Sequence, residues 1–186
     1  FDCHMPSQLY MGVDARRDHS MRIPRPDLSI STGAPNACTR CHTNQSADWA
    51  YSALVGWGVS FADRRNHPAR AFHAAGRGDV RAAPVLFETA SNAANTPMLR
   101  ASAIIQLGRL LPERLVPSLP LWLQSDDPLI RLAAAEAAGQ LPPEQQLERV
   151  LPLSQDPVLA VRMVAAEQLA GLMPPTVGTP VPATPN

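Results

Sequence analysis

The chain has 186 residues, 45% of them hydrophobic but only 5% aromatic, with 20 prolines, 3 cysteines and a formal net charge of zero. A neutral chain lacks the basic footprint of a nucleic-acid or anionic-membrane binder, and no run reaches the roughly 18–20 apolar residues of a membrane span. All 16 basic residues are arginine, which leaves no lysine for catalysis.

Taken in chain order, residues 1–45 read as loop-like. Pro, Gly, Ser and Asn in "RIPRPDLSISTGAPN" are too dense for long helices or strands, and nothing here reads as β. Ser46 is a helix cap, and the pattern predicts one helix over 46–60 with Trp49, Ala53 and Trp57 on a common face. The prolines of "PPTVGTPVPATPN" predict a disordered tail at 174–186. Position 1 is Phe, so the sequence is expected to be a processed product or a fragment, and a missing export signal says nothing about location.

Residues 61–173 are a repeat. "RASAIIQLGRL" begins at Arg100, "RLAAAEAAGQL" at Arg131 and "RMVAAEQLAGL" at Arg162, an interval of 31 residues both times. Ala103, Ala134 and Ala165, then Leu107, Ala138 and Leu169, then Leu110, Leu141 and Leu172 recur along one helical face. Pro97, Pro128 and Pro157 precede the three helices, expected at about 97–110, 128–141 and 157–172. "PERLVPSLPLWL" and "PEQQLERVLPL" supply partner helices, and "HPARAFHAAGRGDVRAAPVLFETA" a degenerate first hairpin. The "DP…R…AA…L" helices resemble HEAT-type repeats. Such hairpins bury their apolar faces only by stacking into a solenoid, so a docking or scaffold surface is expected. The arginines at 100, 131 and 162 are expected to be solvated or paired with carboxylates.

"CTRCH" carries the chemistry. Cys38, Cys41 and His42 stand in the C-x-x-C-H spacing of c-type haem attachment. Two cysteines three apart on one helical turn can each add to a porphyrin vinyl group, and the next residue offers its imidazole to the iron. A structural zinc would need four ligands, with only Cys3 and other histidines left to supply them. A redox dithiol would want a βαβ setting. "FDCH" at the start repeats the pair Cys3–His4. A cysteine just upstream would complete a second haem motif, with Cys3 attached and His4 as proximal ligand, and it accounts for the odd cysteine count. His19, among Arg16, Arg17, Arg22 and Arg25, is a candidate distal ligand whose arginine neighbours suit haem propionates. His67 and His73 read as surface or packing histidines.

The blocks "CHMP", "YMGVDARRDHSMRIPRPDLS" and "PNACTRCHTNQSADWA" resemble the carboxy-terminal haem segment of multihaem c-type cytochromes, in which such a segment precedes helical repeats. The resemblance implies a mostly α protein: a loop-rich haem segment over 1–60, HEAT-like hairpins over 61–173 and the tail. It also implies an exported, periplasmic location, redox partner proteins, and His19 as an axial ligand. The function expected on this basis is electron transfer by haem c, with one complete and one truncated site. The alternatives are a multihaem oxidoreductase acting on a small nitrogen or sulfur compound, and a repeat scaffold with a structural metal site.

Overall fold

A computed structural model describes residues 5–17, 19, 23–62 and 67–172. The chain divides into two compact units, Phe1–His73 and Ala74–Asn186. Among the described residues it is mostly helical, as expected, but the first 45 residues are more regular than their composition implied.

In the first unit, strands β1 (Ser7–Tyr10) and β2 (Asp14–Arg17) pair antiparallel, with Ser7 opposite Arg17 and Tyr10 opposite Asp14. The turn between them is closed by the Val13 N–H donating to Tyr10 O at 3.2 Å, and both central residues have positive φ, Met11 at 52° and Gly12 at 75°. That is the mirror-image turn that matches strand twist. Glycine supplies one of its two left-handed positions and methionine is held in the other. All eight strand residues are exposed, so no alternating apolar pattern announces the hairpin. Helix α1 (Pro26–Thr32) begins with a proline whose missing N–H costs nothing at that position, and ends at Gly33, whose φ of 75° gives the left-handed stop. Helices α2 (Ala37–Cys41) and α3 (Ala47–Gly56) follow, and α3 packs on both α1 and α2.

The Ser46 hydroxyl accepts from the Trp49 N–H at 3.1 Å, as the sequence predicted for α3. The buried face is different, however. Ala50 and Leu54 are buried, whereas Trp49 is 37% and Trp57 78% exposed. Residues four apart drift about 40° per step around a helix, so a 49/53/57 stripe curls away from any straight contact line. The buried pair, Ala50 and Leu54, lies one residue further round the helix. Tyr51 leaves the helix on another side to stack on buried Phe61, with ring centroids 5.0 Å apart.

Helix α4 (Pro68–Gly76) crosses the unit boundary in sequence. The second unit then runs through α5 (Ala83–Ser91), α6 (Pro97–Leu110), α7 (Pro112–Leu115), α8 (Leu119–Leu123), α9 (Pro128–Ala138), α10 (Pro143–Val150) and α11 (Leu159–Ala170). Helices α5, α6, α9 and α11 pack in succession, and α8 and α10 pack against α9. Ala103, Leu107, Ala134, Ala138 and Ala165 are buried on the face the repeat predicted, while Leu169 is half-buried. The expected partner helices are interrupted. Pro117 falls in the break between α7 and α8, and Pro152 lies in a tighter 3₁₀ turn, Leu151–Gln155, after α10. Prolines lack the N–H a continuous helix needs. The third repeat helix starts at Leu159 rather than 157, because the Asp156 carboxylate accepts from the Val158 N–H at 2.8 Å and holds a turn ahead of it. The second ends at Ala138, three residues short of expectation. The tail expected at 174–186 lies outside the described residues.

The repeated arginines form a common brace. Arg131 donates from Nη1 to Ser125 O and Asp126 O, six and five residues back, at 2.7 and 3.1 Å. Arg162 does the same to Asp156 O and Pro157 O, at 2.7 and 3.1 Å. Arg131 also reaches the next repeat, holding the buried Asp156 carboxylate through two bonds of 2.7 and 3.0 Å. Arg100 donates to Ala90 O at 2.9 Å.

Two predictions follow from these contacts. A Cβ on Gly108 would meet the Ala137 Cβ at 2.7 Å and its Cα at 2.8 Å, whereas one on Gly139 would meet only the flexible end of Gln168. Gly108→Ala should therefore destabilise by about 1–3 kcal/mol in urea unfolding, and Gly139→Ala by clearly less. The second concerns acid. Hydrogen bonds from Arg131 hold the Asp156 carboxyl below its ordinary range, outweighing its burial. Its contribution is fully present above the usual carboxylate value of about 3.9 and fades as pH falls through the depressed one. Asp156→Ala should cost about 3–5 kcal/mol at pH 7, with the deficit shrinking in melts taken at lower pH.

Candidate functional site

The C-x-x-C-H motif occupies a single helical turn. Asn36, itself buried, caps α2 with its side-chain oxygen, accepting from the Thr39 N–H at 3.1 Å. This bond fixes the start of a helix too short to stand on propensity alone. Cys38 and Cys41 then lie one turn apart on the same side, Cys38 half-buried and Cys41 exposed, with neither in a disulfide. His42 is the C-cap residue, with φ −90° and ψ 65°, and its N–H donates to Cys38 O at 2.9 Å. The chain turns immediately, with the Gln45 N–H donating to His42 O at 2.9 Å, and enters α3 at the Ser46 cap. That short path brings Trp49 onto the His42 ring, with centroids 4.8 Å apart and planes inclined by 50°. The exposed Trp49 is the side chain that rests on the motif's histidine.

Three groups thus share one small surface: two thiols on a turn and an imidazole beyond its end. They do not converge on a point. Among the described residues no three His, Cys, Asp or Glu side chains are gathered as a metal ion would require. A porphyrin takes two thioethers at its edge and an imidazole at its centre, which are the donor types this turn offers. In residue type and spacing the donor set is compatible with haem.

Cys3 and His4, the remnant of the expected second site, lie outside the described residues. His19 is exposed, just past β2, and no described interaction joins it to Cys38, Cys41 or His42. Of the arginines near it, Arg16 pairs with Asp14 at 3.1 Å and lies 5.1 Å from the Tyr10 ring centroid, and Arg17 donates to Met5 O at 3.0 Å. Arg25 is turned to a structural task. It grips the buried Asp27 carboxylate through bonds of 2.8 and 2.7 Å, and Arg70 adds a third at 3.2 Å. These hydrogen bonds hold the Asp27 carboxyl below its ordinary range despite burial. His67, whose Nδ1 accepts from the Ala69 N–H at 3.2 Å, is lowered by burial and by Arg25 and Arg70, with Asp27 opposing. His73 is exposed. The sequence offered no sign of the Asp27 cluster, because Arg70 lies 43 residues away in the chain.

Residues 83–170 match the family described as HEAT repeats. The second unit's helical hairpins are thus HEAT-like, a class that commonly mediates protein interactions. No curated protein and no solved structure matches the chain. No described helix is long and apolar enough to cross a membrane.

The cap on α2 is open to test. Asn36→Ala should cost about 1 kcal/mol in chemical denaturation of the first unit, followed by Trp49 fluorescence in a chain with Trp57 and Trp122 replaced by Phe. Asn36→Asp, which keeps the acceptor, should cost much less.

Proposed function

We propose that the chain carries c-type haem at Cys38, Cys41 and His42 and serves in electron transfer. The HEAT-like hairpins would act as a docking surface for redox partner proteins. The observation that carries this reading is the capped turn of α2, which sets two thiols on one side and puts an accessible imidazole at the helix end.

When bound, haem c supplies reversible one-electron chemistry at its iron. The chain's own residues do the holding. Cys38 and Cys41 would hold the porphyrin as thioethers, and His42 would offer its imidazole to the iron. Asn36 fixes the turn that sets the cysteine spacing. Trp49 limits the rotation of the His42 ring, so the imidazole presents a constant face, and a fixed ligand keeps reorganisation small on gain or loss of an electron. His19 is proposed as a distal ligand, with Cys3 and His4 belonging to a second haem. Because c-type haem is matured after export, the proposed location is the periplasm or an equivalent compartment.

The test is expression with haem-maturation machinery, followed by acid–acetone extraction. Haem should remain with the protein. Cys38→Ala/Cys41→Ala should remove the covalent haem of this site, and His42→Ala should leave it attached but shift its absorption spectrum. A colourless, zinc-loaded product would overturn the reading.

A further inference from the structure

Helix α11 is the last of the described repeat helices, and its outward face is uncovered. Three positions define that face: one, four and eight residues after each repeat arginine. On α6 they are Ala101, Ile104 and Gly108, all buried. On α9 they are Leu132, Ala135 and Gly139, with Ala135 buried and the other two half-buried. The glycines show what covers them, since a Cβ on Gly108 would strike Ala137 of the next repeat and one on Gly139 would strike Gln168 of the repeat after that. On α11 the same positions are Met163, Ala166 and Ala170, all exposed, with Met163 62% exposed. Leu159, 60% exposed, extends the stripe by one turn. The face that α6 and α9 each use to receive the next helix is therefore apolar and open on α11.

The order of side chains along this stripe says what fits it. It reads large, large, small, small: Leu159, Met163, Ala166, Ala170. Turned end for end about a two-fold axis midway between positions 164 and 165, the stripe meets itself in register. Leu159 comes level with a second copy's Ala170, and Met163 with a second copy's Ala166. Each large side chain lies beside a small one, the arrangement that lets two helices approach closely. No charge lies on the stripe to oppose the contact, and a two-fold interface requires this kind of self-complementarity. We infer that α11 is the dimerisation surface of this chain, packing antiparallel against α11 of a second copy.

Sedimentation equilibrium on the 186-residue chain tests this. The chain should be a dimer with Kd in the micromolar range. Met163→Glu, at the centre of the stripe and away from the core, should weaken the dimer by at least about 30-fold with its helical circular dichroism unchanged. Ala166→Glu serves the same purpose if the first variant does not fold. Register is read by a volume exchange: Ala170→Leu sets two leucines level and should weaken the dimer, and adding Leu159→Ala should restore it. A monomer at all accessible concentrations, or a dimer indifferent to Met163→Glu, overturns the inference. So does failure of the exchange to restore association, or a dimer that forms only when residues 173–186 are removed.

Discussion

The second unit rests on how closely α6 and α9 approach. Gly108 has no side chain because Ala137 stands where its Cβ would be, at a distance no real Cβ tolerates. Both helices are rich in buried alanines, Ala101 and Ala103 on α6 and Ala133, Ala134, Ala135, Ala137 and Ala138 on α9, so there is little side-chain volume to hold them apart. In such packing most of the favourable energy comes from short-range contact, which falls steeply with fractions of an ångström. The same logic recurs one repeat later, where Gly139 faces Gln168, but a flexible glutamine can yield where an alanine backbone cannot. Gln146 helps place that glutamine's segment, donating from Nε2 to Gln168 O at 2.8 Å.

Small residues allow close packing but do not specify how far one helix slides along another. The polar contacts supply that register. Arg131 ties its own helix start to the preceding loop and the following repeat to both, since Asp156 accepts from it while also holding the turn into α11. The side chains of this pair are 13% and 4% exposed, so losing either partner would strand a buried charge. The first unit solves its own packing in a comparable way, with Asp27 receiving Arg25 and Arg70.

How much of this was legible in the sequence follows from the range of each interaction. The repeat was legible because a 31-residue interval with alanine and leucine at fixed offsets has few other causes, and its buried alanines lie where the offsets put them. The cap of α3 was legible because Ser46 acts three residues away. The β1–β2 hairpin was missed because its strands bury nothing and so carry no alternation. Its turn hides a left-handed methionine beside Gly12, where asparagine or aspartate would have signalled it. The stripe Trp49, Ala53 and Trp57 stood out in the sequence, but the residues buried on α3 are Ala50 and Leu54. Which face is covered was decided by α1 and α2, and no local pattern records that. Arg25, read as a partner for an external carboxylate, had an internal one two residues away.

The candidate site is local in the same sense: Asn36 through Trp49 builds it within 14 residues, from two caps and one aromatic contact. The haem proposed for this stretch is attached through both cysteines. The most direct measurement is the pyridine haemochrome spectrum of the matured chain, joined to the mass of its tryptic peptide 41–64 linked through haem to the peptide ending at Arg40. The expected result is the haemochrome of a porphyrin with both vinyl groups saturated, and a cross-linked peptide pair heavier by one haem. A haemochrome with intact vinyl groups, or the two peptides recovered at their unmodified masses, would contradict it.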